Sequence, residues 1–285
     1  MLPMKCLKKY HHERLVKIVG TVTELLEPEC IYLWSVMSSA VESENIFSAG
    51  VSSQRTPDHY HLLIIMPGAE KCSDAIIEMI EAKCKQYVRV TAWMMPAPLF
   101  DRLLSSEHPF ATKINQHALL CYGEQRQPLG AFSAADSKSF IEEPSDYLER
   151  ATEFMAGVEL YFLRKQFRPA SFLLHQAAEQ FLCAIMIHFT GYHFKTHNLE
   201  KLFRHTQPLV ESVSDVFCLK SESEQRLFRL LQRSYIDSRY SAEYHIKEFE
   251  LAFLKGKIHR LGDIAQDTIV SGKAEKNNTK LQVHY

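Results

Sequence analysis

The sequence predicts an α+β chain of two domains, a small α/β sheet domain followed by an up-and-down helical bundle. Its 285 residues exceed the usual size of one compact domain, so each half can bury its own core. In the first half, runs rich in β-branched and aromatic residues alternate with helical patterns, as in an α/β layer. From Tyr147 onward the apolar spacing is wholly helical.

Residues 8–26 place Leu15, Ile18, Val19, Val22, Leu25 and Leu26 on one helical face, and the helix should stop before Pro28. CIYLWSV then reads as a strand. After a polar stretch from Ser38 to Asp58 comes HYHLLIIM, a continuous apolar run closed by Pro67-Gly68, which suits a central strand covered on both faces. Ser73 to Tyr87 carries Ile76, Ile77, Ile80 and Cys84 at helical spacing and crosses back to a third strand, YVRVTAWMM. Two short helical patterns follow Pro98 and end at Gly123. The aperiodic residues 126–145, with both Pro and Gly, read as a linker between a first domain at 1–125 and a second at 146–266.

In the second half, Leu148, Ala151, Met155, Val158 and Phe162 form the stripe of one helix, and Pro169 opens another that runs to about Phe189 and ends at Gly191. A short helix over Asn198–Thr206 and a capping box at Ser221 and Glu224 precede a last long helix from near Ile246. That helix should fade after Ile264, leaving residues 267–285 as a polar tail. Short connections imply antiparallel neighbours.

Lys plus Arg nearly balances Asp plus Glu, for a formal charge of -1, so nucleic-acid binding has to be local rather than spread over a basic surface. Seven scattered cysteines form no Cys-x-x-Cys pair and read as reduced thiols. No export signal and no run of eighteen apolar residues is visible, so a soluble cytoplasmic protein with no membrane association is expected. No cofactor and no resident metal are expected.

Three stretches in the helical half carry a specific likeness: FRPASFLLHQAAEQFLCAIMIHFTG, KTHNLEKLF and SYIDSRYSAEYH. In the first, His175-Gln176-Ala177-Ala178-Glu179 sets Glu179 one turn after His175; in the second, Thr196-His197-Asn198-Leu199 opens a short helix; in the third, Asp237 and Arg239 precede a Tyr-rich turn. Together they resemble the signature stretches of the HEPN family, with Cys183 where that family usually has Lys. The resemblance implies a polar groove, near a homodimer interface, that takes a nucleotide or RNA through His175, Glu179, His197, Asp237 and Arg239. It also implies a place in a toxin–antitoxin or stress system, with a protein partner.

Ribonuclease members of the family carry an Arg followed four to six residues later by His, and Arg239 with His245 fits that spacing. An imidazole that titrates near neutrality can exchange protons with a 2′-hydroxyl while Arg neutralises the scissile phosphate, without metal. Local roles compete with these: Asn198 as an N-cap, Asp237 and Arg239 as an ion pair or helix-end contact, and His175 with Glu179 as a buried hydrogen bond. A non-catalytic assembly or antitoxin-like protein is the third reading.

HEPN bundles often accompany nucleotidyltransferases of the DNA-polymerase-β type, and the helix–strand–helix–strand order of residues 1–125 resembles a degenerate one. Trp34 stands where that fold has Gly before Ser35, and His59 and His61, after Asp58, stand where it has its Asp-x-Asp pair. Thr91 and Ala92 lie near the place of the third carboxylate. Two imidazoles on one strand face suit a transition metal such as zinc and are poor ligands for magnesium, so nucleotidyl transfer is not expected.

Overall fold

The computed structural model describes residues 9–37, 43–45, 59–69, 72–128, 143–192, 196–217 and 221–282, the last eleven of these as backbone only. The chain divides into two compact units, Met1–Phe140 and Ile141–Tyr285. Asp58, Cys6 and Cys218 lie outside the described residues; Cys30, Cys72, Cys84, Cys121 and Cys183 are free thiols.

The first unit is a mixed sheet with helices on both faces. Helix α1 (Lys9–Leu25) leads into β1 (Cys30–Met37), then β2 (Ser43–Asn45) and β3 (His59–Met66). Next come α2 (Asp74–Cys84), β4 (Arg89–Pro96), α3 (Ala97–Ser105), α4 (Pro109–His117) and β5 (Leu119–Gly123). As its apolar run predicts, β3 is interior: it pairs antiparallel with β1 and parallel with β4, and Tyr60 to Met66 are all buried. The return from β3 to β4 through α2 is the crossover that a parallel pair requires.

Strand alternation sorts the two faces. Ile31, Leu33, Val36, Tyr60, Leu62, Ile64, Val90, Ala92 and Met94 pack under Leu15, Ile18 and Val22 of α1 and Ile77, Ile80 and Cys84 of α2. The ring contacts Tyr32–Phe100 and Trp93–Phe110 mark the opposite face, under α3 and α4. A register shift between Leu33 and Ser35 inserts one residue, which returns Val36 to the face of Ile31 and Leu33 and leaves Trp34 on the other.

The sequence does not announce β5. It takes the outer edge of β1 along Cys30–Leu33, while β2 takes the same edge along Ser35–Met37. Beyond β5 the chain stays with the sheet: Arg126 pairs with Asp101 and Glu29, and Asn115 holds the Arg126 carbonyl at 3.0 Å. Residues 124–128 thus pack with the first unit.

The second unit is helical: α5 (Pro144–Leu163), α6 (Phe167–Thr190), α7 (Leu199–Thr206), a 3-10 turn (Glu211–Asp215), α8 (Glu222–Tyr240) and α9 (Glu248–Gln282). Helix α6 is central, in contact with α5, α7, α8 and α9. Its buried Ala170, Ala177, Ala178 and Ala184 let neighbours approach closely, and Gly191 at φ 65 closes it in a left-handed cap. By length and composition α6 could cross a membrane, yet 78% of that window is buried, as befits a core helix. Asn198 caps α7 by accepting from the Lys201 amide at 3.1 Å. Ser221 caps α8, but the Glu224 carboxylate pairs with Lys257 at 2.9 Å, so the expected reciprocal box is only half made.

The expected polar tail is corrected: the backbone of residues 267–282 continues α9 as helix. The stretch lacks proline, so nothing in it blocks continuation of the helix.

Candidate functional site

In the helical unit, α6, α8 and the segment before α7 bring four of the expected residues together, around a ring that sequence reasoning did not single out. Tyr235, on α8, stacks against His197 at 4.6 Å and against His175 at 5.1 Å, both near-parallel, with Phe172 at 6.3 Å. Phe172 and His175 lie one turn apart on α6, so they present a continuous surface to that ring.

Glu179 follows His175 by one further turn and is buried, yet its bond goes elsewhere: both carboxylate oxygens lie 3.0–3.1 Å from Nδ1 of His197. His175 Nδ1 stands at 3.9 Å, beyond hydrogen-bond range. Burial raises the Glu179 carboxyl above its ordinary value, and His197 opposes that. The expected His175–Glu179 bond is thus replaced by one from the half-exposed His197.

His175 is fully enclosed and neither ring nitrogen makes a hydrogen bond. Burial lowers its pKa from 6.5 to about 3, reinforced by the nearby charges of His197 and Arg239. A neutral imidazole buried this way stabilises the fold above pH 6.5, and that increment is lost as pH falls from 6.5 toward about 3, because the unfolded chain takes up the proton first. Glu179 acts oppositely, its raised pKa favouring the folded chain in acid. His175→Phe keeps a ring and removes the proton site. Its urea-unfolding free energy should therefore lose its dependence on pH by about 1.4 kcal/mol per unit relative to the parent over that window. Equal slopes in the two proteins would discard this account.

Arg239 sits in the last turn of α8. Its Nε donates to the Tyr235 carbonyl at 2.9 Å, and the guanidinium lies 4.8, 4.9 and 5.1 Å from the rings of Tyr235, Phe172 and Tyr240. Among the described residues it has no ion-pair partner, so its terminal nitrogens remain available to an anion. Tyr240 beside it is 76% exposed. Asp237 does not join this group: its carboxylate takes Arg233 at 2.6 Å, one turn back, which is the helix-end role.

His245 lies in the extended connection after α8, exposed, and makes no hydrogen bond, ion pair or ring contact among the described residues. Its spacing from Arg239 is the feature the sequence displays; among the described residues no hydrogen bond or ring contact joins the two side chains. Cys183 is buried in α6, where a Lys ammonium would lose its water.

Two further groups position the cluster. Gln232, one turn before Tyr235, accepts from the Leu199 amide at 2.7 Å, and so anchors the start of α7 beside His197. Arg168, near the start of α6, donates to the Ser238 carbonyl at 2.6 Å, the Asp237 carbonyl at 3.2 Å and the Ser241 carbonyl. Both contacts join segments over thirty residues apart, so local patterning carries no sign of them.

In the sheet unit, His59 and His61 share one face as alternation requires, with rings stacked at 4.4 Å. Both rings are engaged within the sheet unit. His59 Nε2 is engaged by Thr91 Oγ1 at 2.7 Å, and His61 is fully buried against Trp34 at 5.5 Å. Among the described residues no three His, Cys, Asp or Glu side chains gather as a metal site. Trp34 and Trp93 pack at 4.7 Å, both fully buried. An open cleft of about 690 Å³ lies at Arg126; of the three carboxylates that line it, Asp101 and Glu29 are paired with that arginine.

Residues 144–257 match the HEPN domain family, so the helical unit carries a HEPN domain. A crystal structure of a nucleotidyltransferase-like protein from Exiguobacterium sibiricum is similar over 92% of this chain and 75% of its own, at 11% identity and a TM-score of 0.24. A likeness that weak says nothing about chemistry. No curated protein matches the chain.

Proposed function

We propose that the HEPN domain at residues 144–257 binds a nucleotide or an RNA end, with Arg239 holding a phosphate and the neighbouring rings offering faces to a base. One observation carries this reading: the Arg239 guanidinium is spread over Phe172, Tyr235 and Tyr240, with no carboxylate among the described residues paired to it. A cation held rigidly on aromatic faces gains more from a phosphate than a mobile one, because little side-chain entropy is lost on binding.

Binding is favoured over cleavage because the two histidines do not serve proton transfer together. His175 stays neutral at physiological pH, and His245 makes no contact with the Arg239 bed among the described residues. The sheet unit is read as without nucleotidyl transfer, since His59, His61, Thr91 and Ala92 occupy the positions where metal-binding carboxylates would be needed. A homodimer, a protein partner and a role in a toxin–antitoxin or stress system belong to the same reading and rest on the family resemblance alone.

The test is fluorescence anisotropy of a short labelled single-stranded RNA, with ATP and GTP as competitors, against the full chain and Arg239→Ala. Loss of a charge-assisted contact should weaken binding by about ten- to a hundredfold. Absence of saturable binding, or equal affinity in the variant, would overturn the proposal. Cleavage of the RNA in chelator that disappears in His245→Ala would instead establish the ribonuclease.

A further inference from the structure

The terminal turn of α8 contains two competitors for Arg239. One is the row of carbonyls that any helix leaves unpaired at its C-terminus, where a nearby arginine readily folds back to cap them. The other is the carboxylate of Asp237, two residues away. Each is already occupied by a different arginine.

Arg168 reaches from the first turn of α6 to the carbonyls of Asp237, Ser238 and Ser241. Its charge also offsets the partial negative charge of the helix end, which would otherwise repel an anion approaching Arg239. Arg233 holds the Asp237 carboxylate at 2.6 Å. With both competitors engaged, Arg239 gives its Nε–H to the Tyr235 carbonyl and the rest of its guanidinium lies on the aromatic bed.

We infer that Arg168 is a positioning residue for the anion site: by capping α8 from α6, it keeps Arg239 free for the ligand's phosphate. The inference rests on the proposed binding function and adds a residue that touches no ligand. When Arg168 is lost, Arg239 turns inward to cap the helix, and the anion site closes although Arg239 itself is unchanged.

The experiment uses the same labelled single-stranded RNA and the full chain, with Arg168→Gln, Arg168→Lys, Arg239→Ala and the Arg168→Gln/Arg239→Ala double variant, at several salt concentrations. Arg168→Gln should weaken binding by about tenfold and reduce the salt dependence by about the ~0.7 power expected for one lost phosphate contact on a single strand. Arg168→Lys keeps the charge at the helix end with fewer bonds and should recover most of the affinity, within about threefold of the parent. Because both substitutions remove the same contact, the double variant should bind no more weakly than Arg239→Ala.

A merely structural role for Arg168 makes the two losses add and leaves the salt dependence of Arg168→Gln at the parent value. Either result overturns the inference, as does parental affinity in Arg168→Gln. If Arg168→Gln fails to fold, full loss of affinity in a folded Arg168→Lys overturns it too. Failure of Arg239→Ala to affect binding sinks the binding reading itself, and that outcome is separate from the others.

Discussion

Gly123→Ala destabilises the sheet unit by at least about 3 kcal/mol. Gly123 ends β5 opposite Cys30 with φ +81, a conformation that costs an L-residue about 1–2 kcal/mol before any contact is counted. A Cβ at this position would lie 2.0 Å from the Glu29 carbonyl oxygen and 3.0 Å from its carbon, and backbone atoms cannot swing aside as a side chain can. The strand end must lift from β1. That movement also loosens the bond from the Cys30 thiol to the Glu124 carbonyl at 3.0 Å and the pairing of Arg126 with Glu29 and Asp101. Trp34 and Trp93 are the chain's only tryptophans and both are buried in this unit, so tryptophan fluorescence in urea reports its unfolding selectively. A midpoint close to that of the parent would show that the turn accepts a side chain and that this geometry is wrong.

Tyr235→Ala is expected to cost the helical unit about 3 kcal/mol and to weaken RNA binding more than tenfold, whereas Tyr235→Phe does neither. The ring touches His175, His197 and Phe172 and lies beneath Arg239, so alanine opens a void among four side chains and removes the bed of the guanidinium at once. His197 would keep Glu179 but lose the surface that orients it. Far-UV circular dichroism in urea reads the stability, and anisotropy of the labelled RNA reads the affinity. Equal damage from Phe and Ala would transfer the role from the ring to the hydroxyl and discard the stacking account.

The elements were legible where local chemistry decides them. HYHLLIIM is β3 to the residue, because an apolar run bounded by Pro-Gly has no alternative buried form at that length. Asn198, Ser221 and Gly191 cap the helices that their residue types announce. The five residues of β5 were not legible: LLCYG becomes a strand only because an edge of β1, some ninety residues earlier, is free to receive it. The helical end of α9 was misread because polarity was taken for the end of a helix, and a polar stretch without proline can still continue one.

The candidate site shows the same division. The sequence by itself carried the order and spacing of His175, Glu179, His197 and Arg239, and the His59-Tyr60-His61 run in the sheet half, because residue identity and spacing are local properties. Only the tertiary structure decided what those residues do to one another: that Glu179 serves His197 rather than His175, that Tyr235 is the ring they share, and that Asp237 turns to Arg233. It also decided that Arg168 caps a helix seventy residues away. The reason is physical: a side chain's bond goes to the partner that packing brings within about 3 Å, and the chain order does not say which partner that is.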